Sequence, residues 1–366
     1  MFFLEKENKF LRATIYLLPV IILGVFSLTK NLRFISLGML HPNFDVIFES
    51  YRFNLIIQPI LLVFFGLIYL ILLKFVDEIK LVLCLALFCL ISGIATFAFQ
   101  YYVTVVEPQK CLIKYETITT DKLTKPISIV HFTDIQSAGI GEYEASVFKK
   151  ISALSPDLIL YTGDFLQLNK ALEFDDQWEK LLKLFKQVKP RFGIYAVFGD
   201  TERELYSKSV EAIKPIKMLS SKSESFEFEG GKVSLHGLSL YQSKNPQWAM
   251  RSVEKWQEAH SDLDYFRIIM GHAPDYALAL KDSEIDLCLA GHTHGGQVNI
   301  PFLGPLIIDS KVPKRWAHGF TQIGLPALNV SAGVGSNRFN GLPPIRFNCP
   351  TELTLIKLVP VKTTSY

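Results

Sequence analysis

Three long stretches of this chain carry no charged side chain: Ala13 to Thr29, Leu55 to Leu73 and Leu81 to Val106. In water or in lipid such a run must satisfy its own backbone N–H and C=O groups. A helix does so within the segment, and helices and closed barrels are the structures that can cross a bilayer. Each run is near the ~20 residues that a spanning helix needs. Pro19, Pro59 and Gly93 lie inside them and are tolerated there. Tyr16, Tyr69, Tyr101 and Tyr102 suit interfacial belts. The first run lacks a small-x-small cleavage pattern and two more follow, which argues against a cleaved signal peptide. The expectation is a multi-pass cell-membrane protein with a transmembrane region over 1–106.

The side on which the rest of the chain lies stays open. Lys6, Lys9 and Arg12 precede the first run, and Lys74 and Lys80 flank the second loop. Lys30, Arg33 and Arg52 fill the first loop, and Lys110 and Lys114 follow the third run. Each side of the bilayer receives five, so the positive-inside rule returns a tie.

Beyond Val106 the composition becomes that of a water-soluble domain, long enough to bury a sizeable core. Residues 107–125 read as a linker and edge strand, and 126–366 as one domain. The net charge of +3 and the lack of a basic–aromatic stripe give no support to nucleic-acid binding. The five cysteines form no CxxC pair, so neither a disulfide framework nor a thiolate metal site is indicated.

Within that domain, short apolar runs end repeatedly in the same kinds of residue. Ile127 to Thr133 leads to Asp134, with Gln136 just beyond, and Leu158 to Gly163 leads to Asp164. Gly193 to Gly199 leads to Asp200, then Thr201 and Glu202. Phe266 to Gly271 leads to His272, and Leu287 to Gly291 leads to His292 and His294. Helical patterns at 144–154, 174–188 and 248–259 alternate with these runs, and Pro274 to Leu280 reads as the start of another helix. Ser225 to Leu240 reads as a hairpin around Gly230-Gly231, and 327–331 and 353–358 as final strands. Alternating strands and helices argue for an α/β fold with largely parallel pairing. In such sheets the carboxyl ends of strands are where sites are built. Carboxylates and imidazoles without thiolate suit Mn²⁺, Fe, Zn²⁺ or Mg²⁺.

These motifs resemble the calcineurin-like metallophosphoesterases, whose pattern is Asp-x-His, Gly-Asp, Gly-Asn-His-(Asp/Glu), Gly-His and Gly-His-x-His. The resemblance extends to Leu328-Asn329-Val330-Ser331-Ala332-Gly333-Val334-Gly335 and Pro344-Ile345-Arg346-Phe347-Asn348-Cys349-Pro350. Gly295-Gly296-Gln297-Val298 with Gly304-Pro305-Leu306 looks like the bacterial membrane-anchored branch. The resemblance implies a four-layer α/β/β/α sandwich behind about three transmembrane helices, with two divalent metal ions at one edge. It implies that Asp164 bridges them, that Asp134, Gln136 and His294 hold the first, and that Asp200, His272 and His292 hold the second. A metal-activated water would then attack phosphorus in line. The implied substrate is a phosphorylated or lipid-linked small molecule, such as UDP-2,3-diacylglucosamine.

Three positions depart from the family pattern. Gln136 replaces a metal-binding His, Asp200 replaces Asn, and Thr201 replaces the catalytic His. Glu202 fits the pattern as a residue that orients its loop. The departures keep a second reading open, a non-catalytic membrane protein with a degenerate metal site. His41, His131, His236, His260 and His318 read as structural, with His318 the one nearest a role.

Overall fold

The computed structural model describes residues 2–40, 44–259, 264–305, 307–338 and 341–361. His41, His260 and Leu306 lie outside the described residues. The chain divides into two compact units, with the break between Val106 and Glu107.

The first unit is helical: α1 (Phe2–Leu40), α2 (Phe44–Tyr51), α3 (Gln58–Leu72) and α4 (Ile79–Tyr101). A single π-helical segment, Arg52–Ile57, joins α2 to α3, and another, Tyr102–Val106, extends α4. Three stretches are long and apolar enough to cross a bilayer: Lys9–Leu40, Asp45–Leu72 and Ile79–Gln109. They outrun the charge-free runs because charge does not break a helix. α1 continues through Lys30 and Arg33, with Pro42 the next proline beyond it. Polar groups tie the helices where apolar packing gives little net attraction in lipid. Asn31 and Asn54 exchange amide hydrogen bonds at 2.9 and 2.8 Å, and Tyr69 donates to the Tyr16 carbonyl at 2.6 Å.

The second unit holds two six-stranded sheets among the described residues. Its strands are β1 (Leu112–Thr120), β2 (Ile127–Phe132), β3 (Leu158–Tyr161), β4 (Ile194–Ala196), β5 (Ile216–Met218), β6 (Lys222–Phe228) and β7 (Gly231–Gly237). They continue with β8 (Tyr265–Met270), β9 (Leu287–Ala290), β10 (Asn299–Ile300), β11 (Gly304–Pro305), β12 (Gly319–Gln322), β13 (Ala327–Val330) and β14 (Glu352–Pro360). One sheet runs β1-β14-β2-β3-β4-β5 and the other β12-β13-β9-β8-β7-β6. Strands β2 to β5 are mutually parallel, as are β7, β8, β9 and β13. The helices are α5 (Glu142–Leu154), α6 (Phe174–Gln187), α7 (Leu240–Ser243) and α8 (Pro246–Ala259). Pro274–Ala279 forms a 3₁₀ segment rather than the start of the expected α-helix.

The period of two along each strand explains the layers. On β2, Ile127 and Ile129 face the other sheet and meet Ile268, Leu287 and Leu289 in one apolar cluster. Val130 and Phe132 point the opposite way, onto Phe148, Ile151, Leu181 and Phe185 of α5 and α6. On the far side, Ile269, Cys288 and Val330 pack against Val253 and Trp256 of α8. Both faces of both sheets are buried, which is why the central strands read as nearly continuous apolar runs. The four-layer α/β/β/α arrangement follows.

His131 breaks the apolar pattern on the inter-sheet face. It is fully buried, its Nδ1 accepts from the Asn329 amide of β13 at 2.7 Å, and its Nε2 bonds Thr162 Oγ1 at 3.0 Å. Both ring nitrogens are satisfied in the neutral form, and burial pushes its pKa down to about 3. His236 is likewise structural, bonded to Ser223 and Ser252 and stacked on Trp256.

Candidate metal centre

The loops after β2, β3, β4, β8 and β9 carry the residues singled out in the sequence, and the structure brings them together. Oδ1 of Asp164 and Oδ2 of Asp200 lie 3.5 and 3.6 Å from His272 Nε2. Oδ2 of Asp200 is 3.1 Å from His292 Nδ1, and the two imidazoles approach to 3.2 Å. Asp134 Oδ1 is 3.4 Å from His294 Nε2. Two groups have all their ligand atoms within 4.8 Å of one another: Asp200, His272 and His292, and Asp134, Asp164 and His272.

The backbone at this edge is unusual. Asp134, Gln136, Asp164, His292 and His294 all have left-handed φ, at +51°, +36°, +62°, +68° and +50°. Each such placement costs a non-glycine residue on the order of 1–3 kcal/mol, and clustering of these residues is typical of functional sites. Loop-to-loop bonds hold the conformation: Asp134 N–H to Gly163 O at 2.9 Å, Gln136 N–H to Asp164 O at 3.0 Å, and Gly291 N–H to His272 O at 2.9 Å. Close approach requires glycine at two turns. A Cβ on Gly199 would strike the Asp164 carboxylate, and one on Gly291 would strike Asp134 Oδ2 and Thr133 Oγ1.

The donor set fits divalent cations. His272 bonds the Thr162 carbonyl through Nδ1 at 2.8 Å, which makes Nδ1–H the donor and turns Nε2 toward the carboxylates, where a divalent cation would take the place of the Nε2 proton. Asp134 Oδ1, Gln136 Oε1 and His294 Nδ1 are buried without a hydrogen-bond partner. Leaving such atoms unpaired costs ~1–3 kcal/mol each, and a cation at the site would satisfy donors of this kind. The electrostatics agree. Burial alone would lower the His272 pKa, but Asp164, Asp200 and Asp134 together raise it to about 10. Burial also lifts Asp134 to about 6. Asp200 is held far below the usual carboxylate range, because the hydrogen bonds and charges of His272 and His292 outweigh its desolvation. Burial, aided by the Arg346 charge, keeps His294 neutral.

The three departures have definite surroundings. The Gln136 amide nitrogen, rather than its oxygen, meets Asp164 Oδ2. Asp200 pairs with Lys244 Nζ through both oxygens, at 2.8 and 3.0 Å. Thr201 donates its N–H to Asp164 Oδ1 at 3.1 Å, and its hydroxyl sits 3.4 Å from Glu202 Oε1. Glu202 is buried and accepts from Phe165 N and Gly199 N, both at 2.6 Å, so it ties the loops after β3 and β4 together. His318 stands outside the cluster, on Glu352 at 3.1 Å.

Several contributors were not identified as site residues from the sequence. Asp309 Oδ2 lies 3.6 Å from the outer nitrogen of His292. Arg346 is fully buried and donates to the carbonyls of Ala332, Gly335 and Cys349, with that of His294 at 3.5 Å. It fixes the floor beneath the Gly-His-x-His loop and binds the two tail segments together. Arg338 donates to the carbonyl of Gln136, and to that of Gln167 at 2.7 Å.

A two-sheet sandwich with carboxylates and imidazoles at the strand ends defines a metallophosphoesterase-type unit, and comparison with known families agrees. Residues 127–296 match the calcineurin-like phosphoesterase family, and this match with several metallophosphoesterase relatives supports the calcineurin-like superfamily for that segment. Among its relatives, the uncharacterized metallophosphoesterase YkuE of Bacillus subtilis is 28% identical over 237 residues, covering 63% of this chain and 78% of that protein. The phosphodiesterase YaeI of Escherichia coli is 27% identical over 210 residues, covering 56% of this chain and 71% of that protein. An uncharacterized metallophosphoesterase of Helicobacter pylori is 27% identical over 256 residues, covering 68% of this chain and 64% of that protein.

Proposed function

We propose that this protein is a membrane-anchored, metal-dependent hydrolase of phosphodiester or pyrophosphate bonds. The observation that carries the reading is the convergence of Asp164, Asp200, His272 and His292, which supplies a complete donor set for one divalent cation. Asp134, Asp164 and His294, with the orphaned Gln136 oxygen, would hold a second. Divalent cations in such a site supply Lewis acidity and an activated water. The chain's own residues do the rest. Asp164 is fixed by the N–H groups of Asp200 and Thr201, and His272 is fixed by the Thr162 carbonyl. The relative named a phosphodiesterase supports the diester class. Three helices fit to cross a bilayer favour a substrate met at a membrane surface, and a lipid-linked nucleotide such as UDP-2,3-diacylglucosamine satisfies both requirements.

One observation favours the second reading. Gln136 turns its amide nitrogen to Asp164, an arrangement that substitutes a hydrogen bond for a ligand at the first position. A protein retaining one structural metal would look like this.

Metal analysis of the purified full-length protein, with and without His292→Ala, tests the site. The proposal expects at least one divalent ion per chain in the wild type and loss of one in the variant. An activity screen on diesters and nucleotide pyrophosphates then separates the hydrolase from the structural reading.

A further inference from the structure

The most informative feature at this edge is the partner of Asp200. Where the family pattern has a neutral amide, this chain places a carboxylate, and a lysine 44 residues later meets both of its oxygens. The fold builds this meeting. Ser239 caps α7 by accepting from Gln242 N–H at 3.3 Å, and Lys244 N–H closes the helix on the Leu240 carbonyl at 3.2 Å. Ser243, fully buried, accepts from Ala273 N–H at 3.2 Å, so the end of α7 is fastened to the residue next to His272. Lys244 therefore stems from a fixed point beside the site.

Charge explains why such a pairing matters. Asp134 and Asp164 already place two carboxylates among the imidazoles, and Asp200 adds a third. A third carboxylate strengthens the hold on cations, but it opposes the approach of a phosphoryl anion by the same Coulomb interaction. The Lys244 ammonium, at salt-bridge distance, cancels that addition. It sits about one-third exposed, as does Asp200, and so is open to solvent at the site's edge.

We propose that Asp200 and Lys244 act as one charge-neutral unit, in which Lys244 offsets the carboxylate and keeps the site receptive to a phosphate group. The proposal rests on the metal reading above and deepens it, making Lys244 a positioning residue specific to a chain with Asp at this place. It also accounts for Asp in place of Asn without loss of the site: the lysine's charge compensates that of the added carboxylate.

The test uses full-length protein in nanodiscs, loaded with Mn²⁺ and titrated with inorganic phosphate by calorimetry. Lys244→Met should weaken phosphate binding about tenfold, the size of removing one nearby charge in a partly exposed site. Its Mn²⁺ affinity should stay equal or rise. Lys244→Arg should bind phosphate nearly as the wild type does. Asp200→Asn combined with Lys244→Met should recover phosphate affinity to within about threefold, since the pair is then removed as a unit. Additive losses in the double variant, or an unchanged phosphate affinity in Lys244→Met, would overturn the pairing while Mn²⁺ binding upholds the metal reading. A wild type that binds no Mn²⁺ overturns both.

Discussion

The backbone N–H of His292 donates to Oδ2 of Asp134 at 3.0 Å, joining strand ends of the two sheets through residues 158 apart in sequence. Asp134 thereby serves two neighbours. One oxygen takes this bond, and the other, unpaired, faces His294. The site depends on how closely the two sheets' loops approach, and that approach is set by the residue before His292.

Gly291 is that residue. A methyl group there would overlap Thr133 Oγ1 and Asp134 Oδ2, neither of which has room to retreat in a fully buried turn. Gly291→Ala should therefore destabilise the protein by ~1–3 kcal/mol, the usual range for overpacking. It should also lower the bound metal per chain. Thermal melting and elemental analysis read the two effects separately. Wild-type values for both would show that the loops have slack that the structure does not suggest.

The site residues were legible in the sequence because each follows an apolar run, and a strand end is a local signal. Asp134, Asp164, His272 and the His292/His294 pair needed only that pattern. The hairpin over β6 and β7 was legible for a similar reason, from alternation around Gly230-Gly231. What sequence did not reveal is held by long-range contact. Lys244 sits in a polar stretch with no periodicity to mark it, and Asp309 in an irregular loop; each gains meaning only when the fold sets it beside Asp200 or His292. Arg346 lay in a noted segment, but nothing local says that an arginine there is fully buried. The first helix also runs on past the charge-free stretch, to Leu40, because hydropathy reads charge while the helix answers to backbone hydrogen bonds.

His131 predicts an acid response. Its pKa is about 3 in the folded protein and 6.5 as a free side chain. The unfolded chain thus binds a proton below pH 6.5 that the folded one refuses, so stability falls as pH drops from 6.5 toward 3. One such group is worth on the order of 4 kcal/mol over that window. Full-length wild type and His131→Gln should be melted at half-unit steps from pH 7 to about 4. The variant should show a shallower fall by about one proton. Parallel curves would mean that the charged imidazole is accommodated between the sheets.

The helical unit makes a topological prediction. Three crossings put the N-terminus and residue 107 on opposite sides of the bilayer, whichever side each occupies. Reporters at the N-terminus and after Val76 should label one side of the bilayer, and those after Leu40 and Val106 the other. Agreement between the N-terminal and Val106 fusions would require an even number of crossings and refute the assignment.

The last prediction concerns leaving groups. A side-chain general acid typically contributes ~10²–10⁴ in rate, and it matters most when the departing group is a basic alkoxide. Thr201 occupies the position where the family pattern has a histidine, and an aliphatic hydroxyl is too weakly acidic to serve near neutral pH. Its hydroxyl is directed to Glu202, and its N–H to Asp164, so its visible role is to hold the loop. The protein should then favour pyrophosphates and activated diesters, whose leaving groups depart as stable anions, over simple alkyl esters. A series of diesters of graded leaving-group pKa, run on wild type and Thr201→His, measures this directly. The wild-type rate should fall steeply as leaving-group pKa rises, and the variant should flatten that slope if the new imidazole can reach the departing oxygen. Equal slopes, with a wild type that is already shallow, would mean that another group delivers the proton, and His318 is too firmly engaged with Glu352 to be the first choice.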